Sequence, residues 1–141
     1  MIWVTPFTLD LLNQRSQNTM AAYCGVIFTA FDDNTLTATM PLKPETQQPL
    51  GILHGGASCV LAETVGSTGA NYCINLKTHY CVGLSIDVNH IRSVRSAQVT
   101  AIGKPLHCGQ RTQVWQIHLY DYTQQLTAAA RLTVAVLERK P

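Results

Sequence analysis

From Gly55 to about Leu76 the chain runs without proline, is rich in small residues and keeps a helical period. Ala62, Gly66, Gly69 and Cys73 fall along one side. Such a stripe lets a helix lie close against another element, and a helix this apolar has to be largely buried. At about 20 residues it would be roughly 30 Å long. The flanking segments follow a period of two. Leu36, Ala38, Met40 and Leu42 alternate with Thr35, Thr37 and Thr39 across 35–42. Ala22 to Phe31 is strand-like, and Asp32-Asp33-Asn34 is turn chemistry, so the two strands predict a hairpin. In 81–91, Val82, Leu84, Ile86 and Val88 share one face, and Gly83, Ser85, Asp87 and Asn89 the other. Further strands are expected over 97–105, 113–122 and 125–137, the last two joined by a hairpin loop at 121–125. Trp115, Ile117 and Leu119 point one way, and Val114, Gln116, His118 and Tyr120 the other. Thr8 to Gln17 predicts a short helix with Thr8 as N-cap.

One long helix followed and preceded by strands on short turns gives an α+β fold, an antiparallel sheet wrapped around a central helix. A length of 141 residues predicts one domain over 1–141. Charged residues are 13%, against about 25% in an average soluble domain, so part of the surface is expected to be covered by a second copy, with sheet edges as the place. A net charge of +2 gives no field to argue for nucleic acid or membrane. The five cysteines, an odd and scattered set without CxxC, read as buried free thiols in a reducing cytoplasm. No signal peptide or membrane span is expected, since Leu50 to Leu76 is interrupted by His54, Glu63 and Asn71.

From Thr46 through Leu76 one residue is formally charged, Glu63. A carboxylate taken from water must be partnered, protonated or functional; the plain alternative is a glutamate tied to a neighbouring loop. Ser67, four residues on, shares its helical face and can hold a water or substrate atom, or simply bond back to a helix carbonyl. His54-Gly55-Gly56 opens the helix, where the first N–H groups lack intrahelical partners and the dipole is positive. That end is a natural oxyanion hole, and Gly55 lets a carbonyl approach the backbone. His54 could polarise that carbonyl or cap the helix, and a helix N-terminus favours its neutral form. Gln48, in a loop stiffened by Pro49, can donate an amide hydrogen. Arg92, Arg95, Lys104 and Arg111, with His90 and His107, form a late basic group suited to phosphates or to an ordinary solvated face. GxSxG, P-loop, HExxH and GxGxxG motifs are absent, and neither a metal nor a triad of Asp87 with a histidine has support in the spacing.

The run from Gln48 to Ser58 (QPLGILHGGAS) and the run from Leu61 to Ser67 (LAETVGS) closely resemble the hotdog thioesterases of the phenylacetic-acid-degradation type. Within these, the likeness is to bacterial 1,4-dihydroxy-2-naphthoyl-CoA hydrolases and relatives acting on aryl carrier-protein thioesters. It extends to Met1-Ile2-Trp3, Val82-Gly83-Leu84, Asn89 to Ser93 and Gln113 to Ile117. The resemblance implies a hotdog fold that dimerises into one continuous sheet and pairs again to a tetramer. It implies active sites between subunits, Glu63 of one chain meeting Gln48, His54 and Gly55 of the other. Glu63 would be nucleophile or general base, and Ser67 would help hold water. CoA contacts would fall on Gly83, on His90, Ile91, Arg92 and Ser93, and on His107, Cys108, Gly109, Gln110, Arg111 and Thr112. The implied substrate is an aromatic, or medium-chain, acyl-CoA or a carrier-protein thioester. No cofactor would be needed, CoA being part of the substrate. A hotdog dehydratase or hydratase, a non-catalytic acyl-CoA-binding module and a purely structural self-associating protein are the alternatives.

Overall fold

The structure is a computed structural model and describes residues 1–140; Pro141, the last residue of the expected domain, lies outside it. The elements in chain order are α1 (Leu9–Arg15), α2 (Met20–Tyr23), β1 (Ile27–Phe31), β2 (Leu36–Pro41), α3 (Gly55–Tyr72), β3 (His79–His90), β4 (Gln98–Cys108), β5 (Thr112–Tyr120) and β6 (Leu126–Glu138). The six strands form one antiparallel sheet in the order β1-β2-β4-β5-β6-β3, and α3 packs on its concave side. The sheet therefore ends in two edges, β1 and the much longer β3.

The small-residue stripe does what its pattern requires. A Cβ on Gly69 would stand 2.5 Å from the Trp115 ring, and one on Gly66 would stand 2.6 Å from Leu132. The helix thus presses directly onto the side chains of β5 and β6. Trp115, Ile117, Leu119 and Leu132 are completely buried beneath it, together with Leu61 and Val65 of α3 itself. Thr8 caps α1, its hydroxyl accepting from Leu11 N–H at 3.1 Å. Asp32 closes the β1–β2 hairpin by accepting from the N–H groups of Asn34 and Thr35, each at 2.7 Å. Those bonds, with one from the Thr35 hydroxyl, hold its carboxyl below the usual carboxylate range.

Four expectations are corrected. The strand expected from Ala22 starts only at Ile27, because α2 takes Met20–Tyr23 and Gly25, at φ 79, turns the chain out of the helix. The central helix stops at Tyr72 instead of Leu76; Thr5 holds the segment after it, donating to Ile74 C=O at 2.6 Å and accepting from Leu76 N–H at 3.2 Å. The facing of β3 changes along its length. A bulge between Gly83 and Ser85 leaves Leu84 as an extra residue. Cys81 and Gly83 face the helix before the bulge and Ile86, Val88 and His90 after it, so Val82 does not share a face with Ile86. Of the cysteines, Cys24 and Cys81 are buried, Cys59 and Cys73 half-buried, and Cys108 exposed, so the thiols are not uniformly interior. Among the described residues no helix is long and apolar enough to cross a membrane.

Candidate active site

The start of α3 is built by a loop that cannot drift. Thr46 is fully buried and ties the loop back to Pro41, donating to its carbonyl at 2.7 Å. Gln47 bridges to Leu53, and Gln48 N–H donates to Ile52 C=O at 2.9 Å. His54 is the N-cap: its Nδ1 accepts the Gly56 N–H at 2.8 Å, and its backbone carbonyl accepts from Ala57 and Ser58. A ring nitrogen that accepts carries no proton, so the imidazole is the tautomer protonated on Nε2. Once those groups are spoken for, the Gly55 N–H stands without a partner among the described residues. It is the free donor at the positive end of an 18-residue helix.

His90, at the end of β3, lies against Gly55; a Cβ on Gly55 would stand 3.1 Å from its Nε2. A cavity of about 280 Å³ opens here, lined among others by Gln48, Gly55, Ser58, His90 and Arg92. Ile91, Ser93 and Thr127 also line it. The Gln48 carboxamide oxygen accepts the Leu50 N–H at 2.5 Å, which leaves its NH₂ to donate elsewhere.

Glu63 stands two turns further along α3, half-buried. Ser67 donates to its Oε1 at 2.8 Å. Gly83 of β3 lies against the same oxygen: a Cβ there would come within 2.8 Å of it. The carboxylate is thus seated between a hydroxyl and bare backbone, and aims toward the β3 edge of the sheet. Eight residues of helix separate Gly55 from Glu63, about 12 Å of rise. One chain therefore brings together Gln48, His54, Gly55 and His90 at one place, and Glu63, Ser67 and Gly83 at another. It does not join the two.

The other expected residues divide in the same way. His90 to Ser93 belong to the helix N-terminal end. His107, Cys108, Gly109, Gln110, Arg111 and Thr112 form the β4–β5 hairpin at the opposite end of the strands, where Gly109, Gln110 and Arg111 line a cavity of about 530 Å³ with His79 and Glu138. Three thiols gather near that end. Burial and the neighbouring Cys108 push Cys81 up to about 11, and burial, then Cys108 and Cys81, push Cys73 further up. Such groups stay thiols and make poor nucleophiles.

Sequence reasoning passed over two residues here. Ser58 is buried in the wall of the cavity beside Gly55. Asn71 binds the Cys81 backbone at two points and the Ser67 carbonyl at a third. The signal for Asn71 was its spacing, since Glu63, Ser67 and Asn71 recur every four residues along one side of α3.

Known proteins match this arrangement closely. The model of the thioesterase superfamily matches residues 50–128, more than half of the chain. The 1,4-dihydroxy-2-naphthoyl-CoA hydrolase of Escherichia coli is 45% identical over 97% of this chain and 100% of its own length. The proofreading thioesterase EntH of Cronobacter sakazakii is 42% identical over 97% of this chain and 99% of its own. A crystal structure of a mutant thioesterase from Pseudomonas aeruginosa superposes with a TM-score of 0.97 at 42% identity, covering 99% of this chain and 100% of that one. With that coverage and identity the chain is a thioester hydrolase of hotdog fold and belongs to the thioesterase superfamily.

Proposed function

We propose that the chain hydrolyses acyl-CoA thioesters, aromatic acyl groups of the 1,4-dihydroxy-2-naphthoyl kind before medium-chain ones, in sites shared by two copies. The observation that carries this is the Glu63 carboxylate, set against Gly83 and held by the Ser67 hydroxyl, in a helix that starts with a Gly55 N–H unpaired among the described residues. The two halves lie about 12 Å apart in one chain. They meet when the β3 edge of one copy pairs antiparallel with that of another. Glu63 sits beside Gly83, near one end of β3, and Gly55 sits beside His90, at the other. Antiparallel pairing lays the Gly83 end of one strand on the His90 end of its copy. Two such dimers then pair into a tetramer.

In that site the thioester carbonyl oxygen lies at the helix start. The Gly55 N–H and the free Gln48 amide hydrogens donate to it as it becomes an oxyanion. His54 serves by capping the helix through Gly56, which holds the Gly55 donor in place. Glu63 takes a proton from a water held with Ser67 while the water oxygen attacks the carbonyl carbon. Attack by the carboxylate itself, giving a mixed anhydride that water then opens, uses the same geometry. The C–S bond breaks and CoA leaves as its thiolate, a good leaving group that needs little acid assistance. No metal or cofactor takes part. The two-copy site also gathers the basic residues. Arg111, whose carbonyl accepts from Val136 opposite Cys81, lies three strand spacings, about 14 Å of backbone separation, from the second copy's Arg92, a gap that two long side chains and the CoA phosphates can span.

Release of free thiol from a panel of aryl and aliphatic CoA thioesters, compared by kcat/KM, tests the activity. Absence of thiol release from all of them would overturn it, and a change in double-bond absorbance without thiol release would show a hydratase. Arg92→Ala and Arg111→Ala are expected to raise KM for CoA esters by about tenfold or more while leaving short thioesters without the nucleotide within about twofold. Equal effects on both substrates would assign these arginines to the fold.

A further inference from the structure

We propose that Asn71 is a positioning residue that closes the free edge of β3 at Cys81, and so fixes the register in which two copies pair, with the two-fold axis at Asp87. This register serves the two-copy site proposed above and rests on it. Asn71 Oδ1 accepts the Cys81 N–H at 2.9 Å, and its Nδ2 lies 3.4 Å from the Cys81 carbonyl and 2.9 Å from the Ser67 carbonyl. Cys81 stands opposite Val136 of β6, yet its N–H goes to Asn71, so these are groups on the outer edge of the strand. A side-chain amide that takes both the N–H and the C=O of one strand residue occupies the place of a neighbouring strand. Ladder bonds to a second copy can then begin only at Gly83.

The register follows from the faces of β3. Residues paired across two antiparallel strands point to the same side of the sheet. Gly83 and His90 both face the helix layer: Gly83 meets Glu63, and His90 covers Gly55. The bulge makes their pairing symmetrical. From His90 back to Asp87 is three positions, and from Gly83 forward to Asp87 is also three once the extra residue Leu84 is left out. Asp87 then faces its own copy on the outer side of the sheet, with Arg131 of its own chain as the neighbour on the other side. Cys81 falls opposite Arg92 of the second copy, beyond the end of its β3. The edge groups at Cys81 would find no strand there, and Asn71 supplies what is missing. Without Asn71 the pair can slide by two residues, the smallest slip that preserves the faces, which carries Glu63 about 7 Å from the second copy's Gly55.

The test is cross-linking of the full chain. At the axis two facing Cα atoms lie about 4.5 or 5.5 Å apart, within reach of a disulfide. Asp87→Cys treated with oxidised glutathione joins two thiols into one disulfide, the two electrons and protons passing to glutathione. The wild-type chain with its own cysteines is treated in parallel. Asp87→Cys is expected to become mostly covalent dimer, and Asn89→Cys and Ser85→Cys no more than the wild type. Cross-linking at 85 or 89 instead of 87, or none in a protein that light scattering shows to be dimeric or tetrameric, overturns the register. A monomer in light scattering overturns the two-copy site itself. Asn71→Ala is expected to lower kcat at least about tenfold, keep KM within about threefold, and reduce the Asp87→Cys dimer yield. Unchanged kcat in that variant overturns the role of Asn71, and if it does not fold the cross-links decide.

Discussion

At the scale of the residue, the proposed chemistry rests on Glu63. Its Oε1 accepts from Ser67 and lies against Gly83, and among the described residues no other polar side chain bonds to it. A group in that setting can take a proton from water or attack a carbon. Glu63→Ala is therefore expected to lower kcat on a good acyl-CoA by at least about a thousandfold with far less change in KM. Glu63→Gln keeps the shape and the Ser67 contact but is neither base nor nucleophile, and should be nearly as poor. Steady-state thiol release measures both, and near-normal turnover in either ends the catalytic assignment. Glu63 was legible in the sequence because it is the only formal charge between Thr46 and Leu76. The role of His54 was not. Both capping and carbonyl polarisation fitted the sequence, and only the 2.8 Å bond from Gly56 N–H to its Nδ1 shows the ring turned onto its own helix.

Among the elements, α3 explains why its glycines are where they are. Gly69 meets the Trp115 ring at a separation that leaves no room for a methyl group. Alanine is the better helix former, by about 1 kcal/mol, but forcing the fully buried Trp115 aside costs about 1–3 kcal/mol. Gly69→Ala should thus be neutral to destabilising by about 2 kcal/mol, read as a lower urea midpoint at unchanged slope. A clear gain in stability would mean that the helix does not rest on β5 as described. The alternation that marks β2 and β5 was plain in the sequence because each buries one face completely. β3 was misread past Gly83 because a bulge shifts the period by one without leaving a signature in residue type. The α2 turn was hidden for a related reason: four residues are too few to show a helical period.

For the molecule as a whole, the decisive observation is that one chain keeps Gly55 and Glu63, the two parts of the proposed site, on separate stretches of α3. The sequence placed the candidate oxyanion donor and the carboxylate on one helix, and period alone could not say how far apart one chain holds them. The geometry of α3 separates them by about 12 Å, and the mirrored positions of Gly83 and His90 along a free edge give the way to reunite them. Mixing two inactive subunits tests this. Glu63→Gln and a Gln48→Ala/Gly55→Pro double variant, which lacks both oxyanion donors, are co-expressed with different tags at equal levels. In a mixed dimer one site inherits both defects and the other inherits none. The co-expressed pool is expected to recover about a quarter of wild-type kcat. If the mixture is no more active than the two variants purified separately, each chain carries its own complete site and the account is wrong.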